Sequence, residues 1–248
     1  MIQDLHSHTY YSFCGGDRPE EIVEAAIAGG IELFGICDHN HGVGYARRDV
    51  YKLPEDIVLE GYGRTLTRYF DHINLIKEKY ADKIKILRGI EVTTGTIRPR
   101  TALPAGEDIS FFDYCLVENI DDPQNSIAAG DPFAFSRRCG CPMGIAHTDM
   151  FAYVKSIGED PFRYFKALGE AGIFWEMNVS YDSIHHYREH AYMLEFLNNT
   201  EQQAIIRESG IRLSVGFDGH RVGDYRADRV ADCCKRISAM GIKLAFED

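Results

Sequence analysis

Two hydrophobic periods alternate along the chain. Short apolar runs rich in Ile, Val, Leu and Phe end abruptly in ionisable residues. Between them come stretches whose apolar positions repeat every three or four residues. The first kind reads as buried strand, at residues 2–6, 31–37, 84–90, 111–117, 143–146, 173–177 and 211–217. The second reads as amphipathic helix. One opens at Arg18-Pro19-Glu20-Glu21, buries Ile22, Val23, Ala26 and Ile27, and stops at Gly29-Gly30. Others are expected at 60–80, with Leu66, Tyr69, Phe70, Ile73 and Ile76 on one stripe, and at 133–138, 160–171, 190–208 and 224–240. Residues 93–109 read as a loop. Strand and helix alternating in this way predict a single parallel α/β domain over residues 1–248.

The residues that end these strands carry the candidate chemistry. His6 and His8 are two apart on an extended segment and share a face, so both imidazoles can grip one cation. A second ligand-x-ligand pair, Asp218-Gly219-His220, follows the last apolar run. His39 follows the second strand, Glu91 the third and His147 the fifth. In a closed parallel barrel the C-terminal strand ends form one face, and that face holds the site. An open sheet would scatter the first and last strands, so convergence of these residues favours a barrel. His72, His185, His186 and His190 lie within or beside helices and read as exposed or hydrogen-bonded; His41 reads as a ligand, a proton donor or merely exposed, the last being favoured.

Composition narrows the function. Apolar residues make up 45% and charged residues 26%, ordinary for a chain that buries a core. A net charge of −11 argues against broad nucleic-acid or anionic-membrane binding. No run approaches the ~18 apolar residues that span a bilayer, and no basic-then-apolar stretch opens the chain, so a cytoplasmic location is expected. The seven cysteines form no disulfide spacing, Cys139-Gly-Cys141 lacks a second pair for a four-thiolate site, and Cys233-Cys234 reads as helix packing.

Asp4-Leu5-His6-Ser7-His8-Thr9, Ile36-Cys37-Asp38-His39, Gly89-Ile90-Glu91, Ile145-Ala146-His147 and Phe217-Asp218-Gly219-His220 resemble, in order, the motifs of the PHP superfamily. That superfamily is named for its polymerase-associated and histidinol-phosphatase members. Glu176-Met177-Asn178 resembles its Glu-x-Asn segment. The resemblance implies a distorted seven-stranded (β/α) barrel and two or three divalent metals (Zn, Mn or Fe). His6, His8, Glu91 and Asp218 would hold one metal, and Glu91 would bridge to a second that His147 also binds. His39 and His220 would hold a third, with Cys14 or Asp17 from the loop after His8. Many relatives end the fourth strand in a histidine; this chain has none there, and Glu118 is the nearest substitute, with Asn119 behind it.

Such a cluster suits hydrolysis of phosphate esters, with a metal-bound hydroxide as nucleophile and Glu91, Asp218 and His220 at the reacting centre. Arg221, Arg100, Arg188 and Arg98 are candidates to meet the phosphate, Arg221 first because it follows His220. Asp149 and His41 are candidates for the general acid. The expected substrate is a small phosphomonoester, as for histidinol-phosphate phosphatase. The alternatives are a phosphodiesterase or nucleotidase, an amidohydrolase, and a non-catalytic or regulatory metal-binding module. Oligomeric state is left open.

Overall fold

The computed structural model describes residues 1–44, 62–93, 103–104, 106–121, 131–181 and 190–247. Its strands are β1 (Gln3–Asp4), β2 (Leu33–His39), β3 (Lys85–Thr93), β4 (Tyr114–Glu118), β5 (Met143–Ile145), β6 (Phe174–Asn178) and β7 (Leu213–Gly216). All pair in parallel and in chain order, giving one seven-stranded sheet. The sheet curls back on itself: the Leu5 amide donates to Val215 O at 2.8 Å, the His8 amide donates to Gly219 O at 2.7 Å, and Ser7 bridges Gly219. The result is a nearly closed barrel, as the alternating pattern and the shared rim predict.

Around it stand α1 (Pro19–Ala28), α2 (Asn40–Gly44), α3 (Tyr62–Lys79), α4 (Pro132–Cys139), α5 (Met150–Ser156), α6 (Pro161–Glu170), α7 (Ala191–Asn198), α8 (Thr200–Ser209) and α9 (Ala227–Ala239). None of these helices is long and apolar enough to cross a membrane. Pro opens α1, α4 and α6, where the missing N–H costs nothing, and Asp131 and Asp160 cap α4 and α6 through their carboxylates.

The pleat sorts the core into two layers. Outward residues such as Phe34, Ile36, Ile90, Val92, Val117, Trp175 and Val215 pack under the helices. Inward residues Leu5, Leu33, Leu87, Tyr114, Leu116 and Phe174 fill the barrel floor. Tyr114 is its largest member, and its hydroxyl donates to Leu5 O at 2.6 Å. Gly35 and Gly89 make room for it, because a Cβ at either would overlap the Tyr114 side chain. Further along the same inward rows the residues turn polar: Leu33 gives way to His39, Leu87 to Glu91, Tyr114 to Glu118, and Phe174 to Glu176. The period of two therefore delivers ionisable groups to one end of a sealed barrel.

Several elements differ from expectation. β1 is only two residues long, because the Asp4 carboxylate takes over from the ladder. Its Oδ1 accepts from the His6 amide at 3.2 Å and the Phe217 amide at 3.0 Å. β3 runs past Glu91 to Thr93, so Glu91 lies within a strand. β4 starts at Tyr114, after a turn at Phe111 and Phe112. The helix expected over 190–208 is two helices. Asn199 is extended between them, and its side chain accepts from the Glu201 and Gln202 amides at 3.1 Å. The last helix starts at Ala227, preceded by a 3-10 turn over Val222–Asp224. The loop expected over 93–109 lies mostly outside the described residues.

Candidate metal centre

Among the described residues, the side chains of His6, His8, His39, Glu91, Glu118, His147, Asp218 and His220 converge at the C-terminal mouth of the barrel. Glu91 is at the middle, fully buried. Its Oε1 is 3.2 Å from His147 Nε2 and 3.4 Å from His6 Nε2; its Oε2 is 2.8 Å from His39 Nδ1 and 3.5 Å from His8 Nε2. One carboxylate thus faces four imidazole nitrogens. Neither Glu91 Oε2 nor His39 Nδ1 has a well-aligned hydrogen bond despite their proximity. His8 Nε2 also lies 3.1 Å from Asp218 Oδ1 and 3.1 Å from His6 Nε2. Glu118 Oε1 is 3.9 Å from His39 Nδ1. His220 stacks on His8 with ring centroids 4.5 Å apart, and its Nδ1 is 2.8 Å from the Asp218 carbonyl oxygen.

The far side of His6 is also occupied. His6 Nδ1 donates to Glu176 Oε1 at 2.7 Å, and Glu176 Oε2 accepts from the His147 amide at 2.7 Å. A single carboxylate thereby orients two strand ends. With its proton on Nδ1, His6 turns the Nε2 lone pair toward His8, Glu91 and Asp218. Nitrogen lone pairs and carboxylate oxygens aimed at one small volume are a cation's coordination shell, which is why the donor set fits a divalent metal.

Electrostatics agree with that reading. Burial opposes ionisation of Glu91, but the charges of His39 and His6 and the hydrogen bond from His147 hold its carboxyl well below the usual range. Burial likewise opposes Asp218, and His6 and His220 outweigh it, so its carboxyl is held well below the usual value. Burial would lower His6, yet Glu176, Glu91 and Asp218 raise it well above the ordinary imidazole value. His39 is raised in the same way, against burial, by Glu91 and Cys14. Burial pushes His8 down, helped by the neighbouring His39.

Among the described residues, three groups of ligand atoms lie close enough to share an ion: His6, His8 and Asp218; His39, Glu91 and Glu118; and His8, Cys14 and His39. The backbone is strained at the same rim. Among the described residues, Asn119, His147 and Asp218 have positive φ of 61°, 22° and 57°, immediately beyond β4, β5 and β7. Non-glycine residues in that region cost ~1–3 kcal/mol each, and such strain gathers where side chains must be aimed.

The structure brings His6, His8, Cys14, His39, Glu91, Glu118, His147, Asp218 and His220 to one mouth. Of the two loop candidates, Cys14 is in a ligand group, whereas Asp17 Oδ2 accepts from the Val222 amide at 2.7 Å. Arg221 is exposed, with its guanidinium over Gly16 in the loop that carries Cys14. Arg98, Arg100, Arg188, His185 and His186 lie outside the described residues. Asp149, a candidate acid, caps α5 by accepting from the Ala152 amide at 2.9 Å. His41 is buried, not exposed: α2 continues directly from β2 and lays its ring beside Phe13 and His39. His72 accepts or donates a 2.8 Å hydrogen bond with the Tyr11 hydroxyl. His190 is buried, its ring stacked 5.4 Å from that of His147, a proximity that helix position alone does not signal.

Gly216 yields a direct prediction. A Cβ there would overlap Glu176 Oε1 and lie 2.6 Å from His6 Cβ. Gly216→Ala should therefore push Glu176 off His6, cost about 1–3 kcal/mol of stability from overpacking, and weaken zinc binding at least ~10-fold through the lost orienting bond. Chemical denaturation and a competitive zinc titration measure the two effects.

Known proteins agree with this architecture. A 113-residue stretch is 29% identical to the histidinol-phosphatase of Lactococcus lactis subsp. lactis (strain IL1403), covering 46% of this chain and 37% of that protein. The chain thus matches well under two thirds of that relative's length. The crystal structure of histidinol phosphate phosphatase from the same bacterium, complexed with zinc, L-histidinol and phosphate, superposes with a TM-score of 0.55 at 18% identity. That alignment covers 98% of this chain and 95% of the other. The putative histidinol phosphatase of Listeria monocytogenes gives a TM-score of 0.48 at 17% identity, over 90% and 96%. The sequence model of the PHP domain matches residues 4–221, nearly the whole chain and all the motifs at the mouth, and the chain belongs to that family.

Proposed function

We propose that this protein is a metal-dependent hydrolase of phosphate esters, acting on a small phosphomonoester as histidinol-phosphate phosphatases do. The observation that carries the proposal is Glu91, one buried carboxylate within 3.5 Å of four imidazole nitrogens from three strand ends. His147 hydrogen-bonds to Oε1, but Oε2 has no well-aligned hydrogen bond from the imidazoles beside it; such a carboxylate could instead bridge cations that the imidazoles would also bind.

Two or three divalent cations, zinc first among them with manganese and iron as alternatives, would be held here. His6, His8, Asp218 and Glu91 form one set, and Glu91 with His147 extends it. His39, with Glu118, Cys14 and His220 around it, forms the other. Each imidazole nitrogen has one lone pair, so the group containing Cys14 competes with the others for His8 and His39. Cations bound there lower the pKa of water and neutralise phosphoryl oxygens, which is the chemistry that phosphoester hydrolysis needs.

The chain's own residues do the rest. Glu176 and Ser12 hold His6 and His8 from behind. The apolar floor seals the mouth from below, and the strained rim fixes where Asp218 and His147 point. Arg221 is the nearest described arginine in sequence to a ligand and is the candidate to meet the phosphate. Glu118 adds negative charge where relatives carry a neutral imidazole, so this pocket should favour harder or more tightly charged cations than theirs.

Cys14 gives the metal set a spectroscopic handle. Cobalt-substituted protein should show a near-ultraviolet thiolate-to-cobalt charge-transfer band that Cys14→Ser removes while leaving the bound cobalt count within one per chain. A spectrum unchanged by Cys14→Ser would take the thiol out of the ligand set. The function is tested by metal analysis followed by hydrolysis of a generic aryl phosphate with Mn²⁺ or Zn²⁺. Two or more metals per chain and metal-dependent turnover are expected. Full occupancy without turnover of phosphomonoesters or diesters would overturn the reading in favour of a non-catalytic metal-binding module.

A further inference from the structure

His8 is contacted from behind by a buried hydroxyl and carboxylate, Ser12 and Asp38, that belong to none of the ligand groups. Its Nδ1 lies 3.1 Å from Ser12 Oγ, and Ser12 Oγ lies 2.6 Å from Asp38 Oδ1. All three residues are buried. Asp38 is in turn surrounded by donors: the Thr9 amide at 2.7 Å and the Ser12 amide at 3.1 Å reach Oδ1, and the Thr9 hydroxyl reaches Oδ2 at 2.8 Å. Thr9 Oγ1 accepts from the Tyr11 amide at 3.2 Å, which leaves its own hydrogen for Asp38.

A serine hydroxyl has one hydrogen to give. Ser12 Oγ already accepts from the His39 amide at 2.9 Å. If its hydrogen goes to Asp38, the remaining lone pair can only accept, and His8 must carry its proton on Nδ1. The Nε2 lone pair then faces the metal site. The other tautomer places a proton on Nε2, toward Asp218 Oδ1. It would force Ser12 to turn its hydrogen to His8, leaving Ser12 Oγ and Asp38 Oδ1 2.6 Å apart with no proton between them. That contact between two lone pairs is costly, and the opposing one in the favoured tautomer, His8 Nε2 to Asp218 Oδ1 at 3.1 Å, is longer and is where a cation would sit.

We propose that Asp38 and Ser12 are positioning residues that lock His8 in the Nδ1–H tautomer and so make it a competent metal ligand. The proposal rests on the reading of His8 as a ligand, but the tautomer itself can be read without any metal. The same hydroxyl accepts from the amide of His39, so the pair also fixes where β2 hands its terminal imidazole to the site.

The test uses the full-length chain, stripped of metal, with ¹⁵N-labelled histidine, at mildly alkaline pH. Long-range ¹H–¹⁵N correlation spectra distinguish the two tautomers. Wild type should show His8 protonated on Nδ1. Asp38→Ala, which removes the acceptor of the serine hydrogen, should turn that hydrogen onto His8 and move the imidazole proton to Nε2. Ser12→Ala, which keeps the Thr9 bonds to Asp38, should give a mixture of tautomers and serves if Asp38→Ala fails to fold. Zinc affinity should fall about 10–100-fold in either variant, as for other groups that orient a ligating histidine. A proton on His8 Nε2 in the wild type, or variants that keep both the wild-type tautomer and zinc affinity, would overturn the proposal. Failure of the wild type to bind zinc at all would instead strike the metal-site reading, leaving the tautomer measurement to stand by itself.

Discussion

Glu91→Gln lowers hydrolysis by about 10³-fold or more, equivalent to ~4 kcal/mol of transition-state stabilisation, and removes at least one bound metal per chain. The substitution is nearly isosteric, and the flanking Ile90 and Val92 keep their places under the helices, so the fold should survive. What changes is charge and donor character. The amide replaces one anionic oxygen with an N–H group, and that group meets either the His147 and His6 pair on the Oε1 side or the His39 and His8 pair on the Oε2 side. Either way an oxygen proposed to bridge the cations is lost. Metal content by elemental analysis and kcat/KM on an aryl phosphate are read on the same preparation. His72→Ala is the control, because its partner is the Tyr11 hydroxyl rather than a ligand; both quantities should stay at wild-type values. Loss of activity in Glu91→Gln with full metal content would mean that Glu91 acts on substrate and not as a bridge.

Chelation of the metals lowers the melting temperature by about 10 °C. A ligand at a thousandfold above its Kd stabilises by ~4 kcal/mol, and a chain of this size shifts ~2–4 °C per kcal/mol. The gap should widen as pH rises. In the metal-free protein His6 and His39 are raised well above the ordinary imidazole value by Glu176, Glu91 and Cys14, against the burial that would lower them. The stability they supply is present in full below the unfolded imidazole pKa of ~6.5 and is lost as pH climbs through their folded values. Metal ions must displace those same protons, so metal binding tightens over the same interval. Melting curves with and without chelator between mildly acidic and mildly alkaline pH measure both trends. A gap that narrows with rising pH would contradict the charge assignment.

Much of the barrel is readable from periodicity. Rows such as Leu33 to His39 and Leu87 to Glu91 are apolar at the floor and ionisable at the mouth, and that change marks the active end without any coordinates. The paired histidines and the Asp218-Gly219-His220 motif are legible because each follows an apolar run. The break between α7 and α8 is written in Asn198-Asn199-Thr200, good capping residues inside an otherwise amphipathic stretch, where hydrophobic spacing alone suggests continuity. The role of Asp149 as a helix cap could have been found in the same way. The burial of His41 could not, since it depends on α2 following β2 without a turn. The contacts of Ser12, Asp38 and Glu176 with the ligating histidines join residues up to 170 positions apart, and no spacing rule encodes them.

The central claim is that distant residues share cations at one mouth. An anomalous-scattering map from crystals grown with zinc, with phosphate added, tests it most directly. The account predicts a strong peak within bonding distance of His6, His8, Glu91 and Asp218, a second beside Glu91 toward His147 or His39, and phosphate oxygens on both. A map with the side chains placed as described and no anomalous peak among them would contradict it.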